Sequence, residues 1–150
     1  MRALLTLIVG ALILAFAAAP GVAQDRYGKQ KVVYHLNYAG GENDRAYLVA
    51  LRNMRNHLSA VGVKNLDAKI VMHGDGVNML KAAKTNDQLK GAVVALKADN
   101  VEFLVCKNTL TDRKIDAEKD LFEVFEQDIV PSGVAELSYL QQKGYTYVKP

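Results

Sequence analysis

Apolar runs of strand length alternate along this chain with segments of helical period, and that alternation most narrows the folds open to it. Lys31-Val-Val-Tyr-His-Leu-Asn37, Ala68-Lys-Ile-Val-Met-His73 and Val101-Glu-Phe-Leu-Val-Cys106 are β-rich runs. The first is nearly continuous in apolar residues, as a strand buried on both faces is. Gln127-Asp-Ile-Val130 and Tyr145-Thr-Tyr-Val148 are shorter candidates. After the first run, Tyr47, Leu51, Met54, Leu58 and Val61 recur at spacings of four and three, one face of a helix that Asn43 or Asp44 can cap and Gly62 stops. Val77, Met79 and Leu80 suggest a short helical turn, and Thr85-Asn86-Asp87-Gln88 can cap a helix reaching about Asp99. A short helix is expected over Thr109 to Ile115, and another helical segment around Leu121, Val124 and Phe125. Ser132 can cap a last helix through Gln141, with Gly144 ending it. Strand alternating with helix is the pattern of an α/β fold: a three-layer parallel β-sheet of about five strands with helices on both faces.

The N-terminus has a different character. Met1-Arg2 is followed by Ala3 to Ala19 without a charge, then by Pro20-Gly21-Val22-Ala23 and the polar Gln24-Asp25. A basic start, an apolar stretch and small residues at the −3 and −1 positions before a cut after Ala23 make residues 1–23 a secretory signal peptide, with an uncleaved anchor as the alternative because the apolar run is just short of a membrane span. Residues 24–150 then form a single domain, of the usual size for one. A periplasmic or secreted location follows, with no stable membrane insertion after cleavage. The formal charge of +3 falls by one when Arg2 is removed. That is no basic footprint for nucleic acid, and the chain has no tryptophan for a base-stacking platform.

The sequence holds one cysteine, Cys106. In an oxidising compartment cysteines normally pair, and one cysteine cannot pair within its own chain. It is buried and inert, bonded to another chain, or kept for chemistry. In an open parallel sheet, sites form beyond the carboxyl ends of the strands. Those ends are Asn37-Tyr38, His73-Gly74-Asp75-Gly76 and Cys106-Lys107-Asn108, all at one edge. Lys107 beside the thiol, together with a helix starting near Thr109, can lower the thiol pKa below its ordinary value. The competing reading is a small hydrophobe packed at a strand end.

His73 ends the second strand and is placed to face Cys106 as a base or orienting partner. His35, within the first strand, reads as a satisfied core residue, and His57, beside the apolar seam of the first helix, as structural. No pair has metal-ligand spacing, and neither a nucleotide-binding glycine pattern nor a P-loop is present, so no metal and no cofactor is expected. Gly74-Asp75-Gly76 is a tight strand-to-helix turn in which Asp75 reads as a cap rather than a catalytic acid.

Several segments together resemble the DsrE/DsrF-like family of sulfur-relay proteins. The residues that carry the likeness are Lys31-Val-Val-Tyr-His-Leu36, His73-Gly-Asp-Gly-Val77, and Val101 to Cys106 followed by Asn108-Thr109-Leu110 and Arg113-Lys-Ile115. The ending, Ile129-Val-Pro-Ser-Gly-Val-Ala-Glu-Leu137 to Gly144-Tyr-Thr-Tyr-Val148, is also similar to that family's terminal helix and strand. The resemblance implies a DsrE-like parallel sheet, assembly into a homo-oligomer (a trimer or hexamer), and a cysteine after the third strand that carries sulfur as a persulfide. Cys106 matches that position. Two features depart from the family: Lys114 stands where the family often has glycine, and the leader sets the chain apart from relays that work in the cytoplasm.

Two functions remain open on the sequence. In one, an exported sulfur-handling protein uses Cys106 as carrier or sulfurtransferase nucleophile, Lys107 stabilises the anion, and His73, Asn108 and Asp75 support it. A terminal persulfide needs no second cysteine, whereas a dithiol oxidoreductase does. In the other, the fold is a non-catalytic small-ligand-binding or assembly protein with a structural cysteine. A thiol that pairs between chains as a redox sensor is a third variant.

Overall fold

The computed structural model describes residues 26–150, so the leader read over residues 1–23 lies outside the described residues. Five strands form one sheet: β1 (Gln30–Leu36), β2 (Leu66–Met72), β3 (Glu102–Cys106), β4 (Ile129–Val130) and β5 (Thr146–Val148). All pairings are parallel, in the order β4-β3-β2-β1-β5. The helices between them are α1 (Arg45–Val61), α2 (Asn78–Ala82), α3 (Asp87–Ala98), α4 (Lys107–Asp112), α5 (Ala117–Asp120) and α6 (Gly133–Gln142).

The order of strands decides which face each helix covers. From β1 to β4 the chain steps across the sheet in one direction, and right-handed crossovers then put every intervening helix on the same side. From β4 it returns past β1 to form β5, so the crossover α6 lies on the opposite side. Side-chain alternation follows suit. Val32, Tyr34 and Leu36, with Ala68, Ile70, Met72, Phe103 and Val105, belong to the large core shared with α1 to α4. Val33, Val71, Leu104 and Val130 point the other way and form a smaller buried cluster with Leu137, Leu140 and Tyr145.

The apolar stripe read on α1 is its buried face: Tyr47, Leu51, Met54, Leu58 and Val61 are all at most 2% exposed. Asn86 caps α3, its Oδ1 accepting from the amides of Gln88 and Leu89, and Ser132 caps α6 by accepting from Ala135 N–H. Three local expectations are corrected. Neither Asn43 nor Asp44 caps α1: a 3-10 turn precedes the helix, both residues have left-handed φ, and the Asp44 carboxylate accepts from Asn86 Nδ2 at 3.1 Å instead. The helix after β3 starts at Lys107 and ends at Asp112, which puts Cys106 itself at the N-cap position. Leu121, Val124 and Phe125 are not helical. α5 ends at Asp120, Glu123 takes a left-handed φ of 49°, and Phe122 N–H donates to Leu80 C=O at 3.0 Å, replacing an intrahelical bond with a tertiary one.

The turn after β2 is set by two glycines. Gly74 has φ 54°, and a Cβ on Gly76 would stand 2.1 Å from Leu36 C=O, so only glycine lets this turn lie across the end of β1. Among the described residues no helix is long and apolar enough to cross a membrane.

Candidate functional site

The three strands that end side by side each close on a reactive or titratable residue of the same face. On that face β1 presents Lys31, Val33 and His35; β2 presents Lys69 and Val71 and runs into His73; β3 presents Glu102, Leu104 and Cys106. The N-terminus of α6 descends onto this edge. A Cβ added to Gly133 would meet His73 Cβ at 3.0 Å and Cys106 Cβ at 3.3 Å, so the bare glycine is wedged between the two side chains.

Cys106 is 5% exposed. Burial pushes its thiol up, since a thiolate is poorly solvated there. The opposing pull is stronger. The amide N–H groups of Gly133, Thr109 and Asn108 and the Thr109 hydroxyl all favour the anion, and the net direction is below the ordinary thiol value. Cys106 stands at the N-cap of α4, and its side chain makes no cap hydrogen bond there. Thr109 is itself buried and fixed, its Oγ1 accepting from Gly74 N–H at 3.0 Å. The sulfur thus sits where the first turns of α4 and α6 converge, and the donors come from backbone that the fold holds in place.

His35 and His73 stack with centroids 4.8 Å apart, and their Nε2 atoms are hydrogen-bonded at 2.7 Å. His35 Nδ1 is bonded to Tyr147 Oη, also at 2.7 Å. Burial, then the charge of His73 and of Lys149, pulls His35 down to about 4; burial, then Lys149, pulls His73 down as well. Both rings are therefore neutral at neutral pH.

The residues singled out from sequence fall into two groups. Cys106 and His73 both border Gly133 at the α6 N-terminus, while Asn108 is exposed on the first turn of α4 and bears on the thiol only through its backbone amide. Lys107 does not join them: it is exposed, lines a separate surface cavity of about 670 Å³ with Lys114 and Glu126, and is not among the groups that lower the thiol. Asp75 caps nothing. Its carboxylate pairs with Arg113 at 2.8 Å, and its carbonyl accepts from Tyr47 Oη at 2.6 Å, so it braces the turn below the site. His57 is held by Tyr34 Oη and Gln30 Oε1 in the other layer. The sequence reading missed His35, Thr109, Gly133 and Tyr147. Counting alternate positions back from the strand ends puts His35 on the face of His73 and Cys106, a signal that was present. Among the described residues no group of three or more His, Cys, Asp or Glu is placed to hold a metal ion.

The DsrE/DsrF-like family matches residues 31–150, all five strands and every residue of the site. The chain belongs to the DsrE/DsrF-like family. A solved protein of unknown function from Methanobacterium thermoautotrophicum has the same fold, with a TM-score of 0.67 and 27% identity, over 81% of this chain and 100% of that one. No curated protein matches the chain. Family membership points to a sulfur-relay-related role, and within this DsrE-like sheet Cys106 stands at the end of the third strand.

Proposed function

We propose that this DsrE-family protein is an exported sulfur carrier in which Cys106 holds sulfane sulfur as a persulfide and delivers it to an acceptor. The observation that carries this reading is the place of Cys106: buried at the end of β3, at the N-cap of α4 and against Gly133 at the start of α6, where the neighbouring backbone amides pull the thiol below its ordinary value. A thiolate there attacks the outer sulfur of a donor such as thiosulfate. A new S–S bond forms at Cys106, the donor's S–S bond breaks, and sulfite leaves with the electron pair. An acceptor thiolate or oxyanion then attacks the outer sulfur, and the Cys106 thiolate is released. No net oxidant or reductant is needed, and no second cysteine. The persulfide is also an anion, so the same donors serve both states.

Export rests on the pattern of residues 1–23, and assembly into a trimer or hexamer on the family resemblance. N-terminal sequencing of the chain recovered from the secreting cell, and light scattering of the purified protein, test those two parts.

One observation favours a second reading. Cys106 is 5% exposed, as a structural cysteine in a binding or assembly protein is. Intact-mass spectrometry after exposure of the full chain to thiosulfate or polysulfide separates the two. A sulfur carrier gains one sulfur, loses it to reductant, and loses the capacity altogether in Cys106→Ala. A wild-type thiol that stays unmodified and also resists alkylation in the folded state removes the carrier reading and leaves the binding protein.

A further inference from the structure

We infer that copies of this chain join head to tail, the acidic trough beside β4 of one copy receiving the basic N-terminal edge of β1 and β2 of the next. Assembly itself rests on the reading above; what is added is the pair of surfaces that meet.

Two cavities of about 570 and 670 Å³ adjoin along the outer flank of β4, sharing Ala117, Glu126 and Ile129. β4 ends the sheet and has no strand on its far side. The floor of the trough is apolar, with Ile115, Leu121 and Val124, and the Phe125 ring beside it is 56% exposed. Glu118, Glu123 and Glu126 rim the half around Phe125, and none of them is in an ion pair among the described residues. The fourth carboxylate, Asp116, is paired with Lys119 at 3.4 Å. The nearest ammonium does not neutralise the rim: Lys97 lies over the Phe125 ring and donates to the backbone carbonyl of Glu123. Lys107 and Lys114 stand in the other half, toward the end of β3.

The opposite character appears where β1 and β2 begin side by side. A hollow of about 350 Å³ there is lined by Lys29, Lys31 and Lys64, all exposed and none in an ion pair among the described residues. Tyr27 and Val63, close by in the chain, are 46% and 40% exposed. Asp67 shares the hollow, but its Oδ2 accepts from Tyr145 Oη at 2.6 Å. Lys69, its neighbour on β2, is already paired with Glu102.

The two surfaces match in kind. One has three unpaired carboxylates around an apolar floor and an exposed aromatic ring; the other has three unpaired ammoniums beside an exposed tyrosine and valine. An apolar centre with a charged rim is how protein interfaces are built, and opposite potentials select the partner and its orientation. Two strands, β3 and β2, separate β4 from β1, so a chain cannot bring its own basic edge to its own trough. The contact is therefore made between copies. Because unlike surfaces meet, each copy leaves one of each kind for the next, and a closed ring satisfies them all.

The test reverses charge on each surface and then on both. Glu123, Glu126, Lys29 and Lys64 are exposed and hold no ion pair among the described residues, so the fold is not at stake, and a urea midpoint confirms it. Sedimentation velocity of the purified protein over a dilution series reads the association. Glu123→Lys with Glu126→Lys, and separately Lys29→Glu with Lys64→Glu, are each expected to weaken it at least about tenfold, since like charges then face each other. All four changes in one chain restore opposite charges across the contact and are expected to recover the assembly. An oligomer indifferent to either reversal, or one that the fourfold variant does not recover, overturns this pairing of surfaces and leaves the assembly reading standing. A wild type that sediments as a single chain at every concentration removes both.

Discussion

The two faces of the sheet are built from the same strands on opposite plans. One face is uniformly apolar. Val32, Tyr34 and Leu36, then Ala68, Ile70 and Met72, then Phe103 and Val105, are all buried under helices. The other face is graded along each strand. At the N-terminal end it is charged, where Lys69 pairs with Glu102, and Tyr145 donates to Asp67 Oδ2 at 2.6 Å. In the middle Val33, Val71 and Leu104 lie under α6. At the C-terminal end it turns to His35, His73 and Cys106. Covered by several helices, the first face has little freedom to vary and fixes the fold. Among the described residues the second face has a single helix for its cover, and that helix starts beside Cys106. Stability and chemistry are divided between the faces, and α6 is the element on which they meet.

The largest expected difference comes from matched truncations. Ile70 is fully buried under the thick layer, where neighbours on many sides hold their positions. Ile70→Ala leaves a cavity that cannot collapse and is expected to cost about 4 kcal/mol, near the top of the range for such changes. Leu137→Ala on α6 removes a side chain that is 7% exposed at the edge of the small cluster. There the helix can settle inward, and about 2 kcal/mol is expected. Urea denaturation measures both. The sharper readout is the thiol: Leu137→Ala shifts Gly133 and so changes the alkylation rate of Cys106, while Ile70→Ala leaves that rate unchanged. Equal costs, or a thiol indifferent to Leu137, would break the division between faces.

Acid is expected to act through the graded face. His35 is held near a pKa of about 4 in the folded chain, against about 6.5 when unfolded, and His73 is lowered too. Because the unfolded chain then binds more protons, stability is fully present above pH about 6.5 and falls as pH drops toward 4. The urea midpoint should decline across that window and level off beneath it. A midpoint flat between those pH values would mean that the stacked pair is not neutral in the folded protein.

How far the sequence revealed each face follows from what each one uses. Period and punctuation are local, so the five strands, the α1 stripe and the caps at Asn86 and Ser132 could be read directly. Leu121, Val124 and Phe125 show the limit of spacing alone: their separation imitates a helix, but Phe122 N–H goes to Leu80, far back in the chain. The strand ends located Cys106 and His73. The charge sought beside the thiol was assigned to Lys107, because adjacency in sequence is visible and the aim of a backbone amide is not. Gly133 and Tyr147 could not be found locally. Both reach the site only because β5 crosses back to pair with β1, matching Tyr147 to Val33, and that return brings α6 over the thiol. His35 was legible by parity, yet its burial in an apolar strand is equally what a core histidine shows.

The smallest expected effect on stability, and the most specific on chemistry, is that of Gly133→Ala. The added methyl group would lie 3.0 Å from His73 Cβ and 3.3 Å from Cys106 Cβ, so both neighbours or the helix start must yield by a few tenths of an ångström. Overpacking of this kind costs about 1–3 kcal/mol, and the lower end is expected here because a single helix can lift where the thick layer could not. Lifting α6 withdraws the Gly133 N–H from the sulfur. That amide heads the donors opposing burial, so its loss weakens the pull on the anion and the thiol rises. Alkylation rate against pH reads this as a midpoint displaced to higher pH in Gly133→Ala, in a chain whose urea midpoint falls less than that of Leu137→Ala. Were the stability to fall while the alkylation midpoint stayed in place, α6 would be only a cover for the graded face, and the thiol would owe its state to α4 alone.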